Sequence, residues 1–296
     1  MTYQQFVEEI ASQINSISKG PIYAEVRASI KNNNVERIGL TIHEAEINVS
    51  PTLYLEDFYQ EFLDGESLLD ITYRIMDVYE EIRFENSWEL EHVLDYDSIS
   101  EQIVFKLIHL RQNLPLLQNV PFIRYQDLVI VFLLMVDVEP CGPGTITITN
   151  DMKNFWGVTA NDLYAAALRN TPKLLPADFR PMCSVVSEML GTTCSYEDFE
   201  DTHMYILTNS QKQYGASTIL YPGLLENISE QLGEDFYLIP SSIHEFIILP
   251  SSYSPSTSEL NEMVNEVNST ELPEDEFLSD HIYLLPYDFK KLFIVP

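Results

Sequence analysis

The segment Pro240-Ser241-Ser242-Ile243-His244-Glu245 sets two hydroxyls, an imidazole and a carboxylate in one short stretch. These are the groups of nucleophilic catalysis: a histidine takes the proton of a serine, and a carboxylate orients the histidine. Residues so close in a tight turn seldom line up for proton transfer, and turn serines commonly satisfy backbone groups instead. Ser241, Ser242, His244 and Glu245 are therefore the catalytic candidates, with a structural turn as the competing reading.

Asp280-His281 opens a later strand-like stretch. If it approaches His244, two imidazoles with Asp280 or Glu245 would form a donor set suited to zinc or manganese. A third group lies in YILTNSQKQYGAST. There Gly215 and Ser217 would open a helix near a ligand and offer backbone N–H groups to an anion. Asn209, Tyr214, Gly215 and Ser217 are the ligand-binding candidates, against the reading that the glycine only serves a turn.

Several motifs are missing from the chain: a phosphate loop ending GK and Ser or Thr, GxGxxG, GxSxG and HExxH. His244-Glu245 begins like the last but runs on into Phe246-Ile247-Ile248-Leu249, a strand pattern. Motif content names no cofactor, so whether one is bound stays open. The cysteines Cys141, Cys183 and Cys194 are odd in number and lack metal-type spacing, so reduced thiols are expected. Cys141 sits in a Pro-Cys-Gly-Pro-Gly turn and could be reactive, but no base adjoins it in sequence.

The elements that would position these residues can be read from hydrophobic period. Thr2 and Gln5 have capping-box spacing, and Phe6, Ile10, Ile14 and Ile17 share one helical face, predicting a helix from Thr2 to Ser18. Alternation from Ile22 to Ile30, the Asn32-Asn33-Asn34 turn and alternation through Ile38, Leu40 and Ile42 predict a β-hairpin. Helices at Glu56–Leu63 and Leu68–Phe84 would cover it. Three strands, IVFKLIHL, FIRYQDLVIVFLLMV and GTITIT, read as a central meander whose middle strand is buried on both faces. Helices follow at Asp151–Trp156 and from Thr159.

Beyond a polar stretch at 191–202, strand, helix, two strands, helix and strand succeed one another, with a further strand in LFIV. This β-α-β-β-α-β order is that of a ferredoxin-like unit. The fold class is thus α+β, divided into an N-terminal α+β region (1–100), a central region (101–195) and a C-terminal region (196–296).

Among 296 residues, 46 acids oppose 16 Lys and Arg, a formal net charge of −30. Fifteen acids face only Arg74 and Arg83 between Glu56 and Glu101, and the stretch from Glu259 to Asp280 holds no base. Such a surface repels phosphate backbones and anionic membranes, so neither nucleic acid nor membrane is an expected partner. The acids either solvate outer faces or engage a basic protein. The longest apolar run, Leu128 to Val136, is about half the length of a membrane span. MTYQQFVEEIASQINSI does not read as a secretory signal, which gives a cytoplasmic expectation.

The segments NNNVERIGLTI, INVSPTLYLEDFYQEF, VPFIRYQDLVIVF, FWGVTANDLYAAALRNTPKLLP, MYILTNSQKQYGASTILYPGLLE, LGEDFYLIPSSIHEFIILP and LSDHIYL span nearly the whole chain in order. Together they resemble an uncharacterised family, a domain of unknown function, from anaerobic, mostly gut-dwelling bacteria. A more remote likeness, through YGASTIL and PSSIHEFII, is to another uncharacterised bacterial family. The resemblance implies an intracellular bacterial protein and assigns no activity. The chain departs from that family at its end, YLLPYDFKKLFIVP, where a Tyr-Asp-Arg-like finish is expected.

The leading functional expectation is a non-catalytic cytosolic binding or interaction protein with an acidic surface. Two alternatives stand beside it: a metal-dependent hydrolase using His244, Glu245 and His281, and an acidic nucleic-acid mimic that occupies a DNA-binding protein.

Overall fold

The computed structural model describes residues 1–18, 20–84, 86–87, 95–138, 142–191, 203–270, 272–288 and 291–295. The fold is α+β, as the patterning predicts. The chain divides into two compact units: Met1–Lys31, Val35–Val93 and Val136–Gly144 form the first, and Asn32–Asn34, Leu94–Met135 and Thr145–Pro296 the second. The central and C-terminal regions distinguished by sequence thus both fall largely in the second unit.

In the first unit, helix α1 (Tyr3–Ile17) starts at the predicted capping box, Thr2 accepting from the Gln5 N–H while the Gln5 side chain accepts from the Thr2 N–H. Strands β1 (Ile22–Ile30) and β2 (Glu36–Glu44) pair antiparallel as the predicted hairpin, and β3 (Thr52–Leu53) adds to β2. Helices α2 (Glu56–Leu63) and α3 (Leu68–Ile82) follow. Phe6, Ile10 and Ile14 pack with Leu40, Ile42, Leu55, Ile71, Ile75 and Tyr79 into one core. Each such side chain contributes about 1.5–3 kcal/mol by leaving water. Ile17, placed on this face by period, is exposed.

The second unit begins with α4 (Tyr96–Ile99) and β4 (Ile103–His109), then the single turn α5 (Leu114–Leu117). The stretch read as one middle strand is two: β5 (Phe122–Tyr125) and β6 (Leu128–Val138), joined by a two-residue turn at Gln126-Asp127. Gln126 takes φ 58°, and its side chain donates to the Leu292 carbonyl at 3.0 Å. Strand β6 lies between β4 and the pair β5 and β7 (Gly142–Thr147), so the meander gains a folded-back strand. Its residues Leu128 to Leu134 are buried on both faces, as predicted.

Helices α6 (Asn150–Phe155) and α7 (Ala160–Leu174) begin at Thr149 and Thr159, the latter in a capping box with Asp162. Strand β8 (Ala177–Pro181) and helix α8 (Met182–Leu190) carry no readable period. Then come β9 (Tyr205–Asn209), a 3₁₀ segment at Gly215–Leu220, α9 (Leu224–Leu232), β10 (Phe236–Ser242), β11 (Glu245–Pro250), α10 (Thr257–Thr270), β12 (Tyr283–Leu285) and β13 (Phe293–Ile294). Gly233 ends α9 at φ 73°. The polar stretch 192–202 lies outside the described residues.

The ferredoxin-like expectation is corrected by the strand order, β13-β12-β10-β11-β9-β8, with every pair antiparallel. A ferredoxin-like sheet needs β9 beside β12 and parallel to β11. Here Thr208, near the end of β9, donates its hydroxyl to the His244 carbonyl at 2.8 Å. The Ala216 N–H, just beyond β9, donates to the Ile243 carbonyl at 3.3 Å. These bonds hold β9 against the β10–β11 turn, hence beside β11 and antiparallel to it. Among the described residues no helix is long and apolar enough to cross a membrane.

Candidate functional site

The β10–β11 turn assembles its polar residues for structure. Ser242, 7% exposed, accepts from the His244 N–H at 3.0 Å, and Ser241 donates to Glu245 Oε1 at 3.2 Å. His244 Nδ1 accepts from the Tyr214 N–H at 3.1 Å, and the two rings stack at 5.8 Å. Among the described residues neither serine hydroxyl bonds the imidazole, so no nucleophile–base pair forms. Glu245 borders a cavity of only about 30 Å³ together with Arg180 and Lys212, room for a water and not a substrate.

The ligand-binding candidates resolve likewise into packing. Asn209 and Ser217 are fully buried. Asn209 Oδ1 accepts from the Gln211 and Gln213 N–H groups while its Nδ2 donates to the Gln213 carbonyl, closing the loop after β9. Ser217 donates to the Tyr214 carbonyl at 2.8 Å. Gly215 is required by close approach: a Cβ there would overlap Thr208 Oγ1 and the His244 carbonyl oxygen, and would stand 2.8 Å from the Asn209 nitrogen. Tyr214 is half-buried and packs on both His244 and the Lys106 ammonium.

His281 lies elsewhere, its Nε2 at 3.6 Å from Asp280 Oδ1. Among the described residues no group of three or more His, Cys, Asp or Glu is placed to hold one metal ion. The set His244, Asp280 and His281 is therefore corrected: the β10–β11 turn touches the approach to β12, the Ile243 N–H donating to the Glu276 carbonyl at 2.8 Å, but the three side chains form no such group. Cys183 is unpaired and half-buried; Cys141 and Cys194 lie outside the described residues.

Asp280 and His281 instead meet residues that the patterning left unmarked. They line a cavity of about 540 Å³ with His109, Arg111, Arg124 and Asp127. His109 ends β4, Arg111 lies in the turn after it, Arg124 comes from β5, and Asp127 from the β5–β6 turn. The antiparallel register brings these ends together, since His109 pairs with Leu128 and Tyr125 with Leu128 across β6. One signal was available in sequence. In a chain with 16 Lys and Arg against 46 acids, two arginines flanking one predicted sheet end are conspicuous.

The electrostatics of the cavity are mixed. Asp127 is fixed by two donors, Ser279 Oγ at 2.7 Å and Tyr283 Oη at 2.8 Å. Ser279 Oγ also accepts from the His281 N–H at 3.0 Å. His109 is 9% exposed and meets the edge of Phe277. Burial lowers its pKa, partly offset by Asp127 and Asp280 and reinforced by His281 and Arg111. Its Nδ1 accepts from the Gln112 N–H at 3.4 Å, so a neutral ring carries its proton on Nε2. Arg124 commits Nε to the Gln126 carbonyl at 3.1 Å. Both guanidiniums are exposed at the cavity edge. This arrangement suits binding a charged group, with two forked donors for an oxyanion.

No curated protein and no solved structure matches the chain. A family profile described as "Family of unknown function (DUF5688)" matches residues 3–288. With nearly its whole length covered, the chain belongs to the DUF5688 family of unknown function.

Proposed function

We propose that the protein is a non-catalytic binding protein that takes a small anion-bearing ligand in the cavity around His109, Arg111, Arg124 and His281. The observation that carries this reading is the gathering of two arginines and two histidines at one concavity in a chain of net charge −30. Its volume of about 540 Å³ falls in the range of roughly 300–1,000 Å³ typical of small-molecule clefts. The engaged hydroxyls of Ser241 and Ser242 support binding over covalent catalysis. The same reading sets the protein in the cytoplasm and assigns its exposed acidic helix faces to solvation or to a basic protein partner.

The test is thermal unfolding of the full chain at low salt with acetate or phosphate titrated in. A ligand at a hundred times its Kd stabilises by about 2.7 kcal/mol, so a clear rise in Tm is expected. Arg111→Ala with Arg124→Ala should remove that rise. An unchanged Tm with every anion, or a rise indifferent to both arginines, would rule the site out.

A further inference from the structure

The cavity around His109 adjoins a second concavity of about 410 Å³ in the same unit. Asp280 lines both. Arg111 borders the first and its neighbour Gln112 the second, while Phe277 lines the second and packs edge-on against His109 at 5.3 Å. The two are therefore halves of one groove.

Their chemistry differs in sign. The first half holds Arg111 and Arg124, and its inner carboxylate, Asp127, is already occupied by the Ser279 and Tyr283 hydroxyls. Among the described residues the second half has no base: Glu274 and the shared Asp280 are its charges. Both carboxylates are exposed. Amides of Asn33, Gln112, Asn265 and Asn268 line it as well, beside Ser269 and Phe277. Asn265 and Asn268 each donate through Nδ2 to a backbone carbonyl, of Asn261 and Ser279, which leaves their side-chain oxygens as acceptors.

A ligand carrying only negative charge would gain at the arginines and lose at Asp280 and Glu274. A dipolar ligand gains at both ends. The amides of Asn265 and Asn268 each keep the oxygen and the second N–H of Nδ2, so donor and acceptor together match the alternating N–H and C=O of a peptide. We propose that this groove binds a short peptide with free termini. Its C-terminal carboxylate lies between Arg111 and Arg124, its N-terminal ammonium lies beside Asp280 and Glu274, and its amides meet Gln112, Asn265 and Asn268. The inference rests on the reading of the His109 cavity as the ligand site and adds the ligand class. The two volumes suit a di- or tripeptide, and three extended residues reach about 10 Å.

The experiment is isothermal titration of the full chain at low salt with four probes: trialanine, its C-terminal amide, its N-acetyl form, and acetate. Trialanine should bind. Blocking either end removes a charge-assisted hydrogen bond, so each blocked form should bind about tenfold more weakly or worse. Arg111→Ala should weaken trialanine but leave the amide's residual binding unchanged. Glu274→Gln should do the same for the N-acetyl form. These residues are exposed, so the variants should fold, and circular dichroism checks that they do. Equal affinity for trialanine and its blocked forms overturns the proposal. If acetate binds in an Arg111-dependent way and trialanine binds no tighter, the ligand class falls while the anion site stands. If neither binds, both fall.

Discussion

The Tyr283 hydroxyl donates to Asp127 at 2.8 Å from a side chain with no exposed surface. Asp127 sits in the β5–β6 turn and Tyr283 in β12, so this bond ties a hairpin tip to the neighbouring sheet of the same unit. A hydrogen bond to an ionised group contributes about 1.5–3 kcal/mol. Tyr283→Phe should therefore lower stability by about 2 kcal/mol, read as the shift in urea midpoint. Because Ser279 serves the same carboxylate, Ser279→Ala and Tyr283→Phe together should depart from additivity. Strict additivity would show that the two hydroxyls act independently of Asp127.

Acid sensitivity should begin at His109. Burial holds its folded pKa below the unfolded value of 6.5. Between the two values the unfolded chain binds the extra proton, so stability falls as pH drops below about 6.5 and levels off beneath the folded pKa. The groups facing His109 are Asp127, Asp280, His281 and Arg111. Chemical denaturation across pH 7 to 5 should show this slope, and His109→Gln should flatten it. The lowered carboxylates, among them Asp162 and Glu259, act in a different window, below about pH 4.5. A slope surviving in the His109 variant would assign it to another group.

At the alkaline end the tyrosines set the limit. Burial raises Tyr3, Tyr79 and Tyr125 to about 12, and also raises Tyr221 and Tyr283 well above the ordinary value. Their stabilisation is whole below the ordinary value of 10. It is lost as pH climbs toward the folded values, because the unfolded chain gives up its protons first. Denaturant midpoints should fall from about pH 10 upward, with tyrosinate absorbance appearing together with unfolding. Full tyrosine ionisation in a still-folded protein would contradict the burial of these rings.

Gly215→Ala should be among the most damaging single changes. Its backbone needs no left-handed conformation; the barrier is the space occupied by Thr208 and His244. Overpacking against backbone costs about 1–3 kcal/mol and sometimes more, and the upper part of that range is expected in urea titrations. A change of a few tenths would mean that the 3₁₀ segment can slide away from the turn.

His244→Ala should reduce stability by about 1–2 kcal/mol, because it leaves the Tyr214 N–H without its acceptor. Ligand binding at the His109 cavity should be untouched. Loss of binding without loss of stability would return His244 to the functional candidates.

These contrasts show what patterning along a chain can carry. The capping box at Thr2, the β1–β2 hairpin and the helices at Glu56 and Leu68 are local, and each appears where period and cap chemistry put it. Gln126-Asp127 hid a turn because positive φ there falls on a glutamine, inside an apolar run that continues beyond it. Strand order was misjudged because element sequence does not name lateral neighbours; the Thr208 and Ala216 bonds to the β10–β11 turn do. Of the cavity, Asp280 and His281 were singled out, while Arg111 and Arg124 showed only as rare bases near one predicted sheet end. His109, Arg111, Arg124 and Asp127 become neighbours through pairing across β6, a relation with no trace in local spacing.

The two units are interleaved along the chain, which passes between them after Lys31, Asn34, Val93, Met135 and Gly144. Neither can be cut out as one continuous fragment. During synthesis the first unit stays incomplete until its last strip, Val136–Gly144, has emerged, so the usual order of one domain maturing before the next begins is closed to this protein. Truncations near residue 100 or 195 should yield aggregates, and only the whole chain should fold.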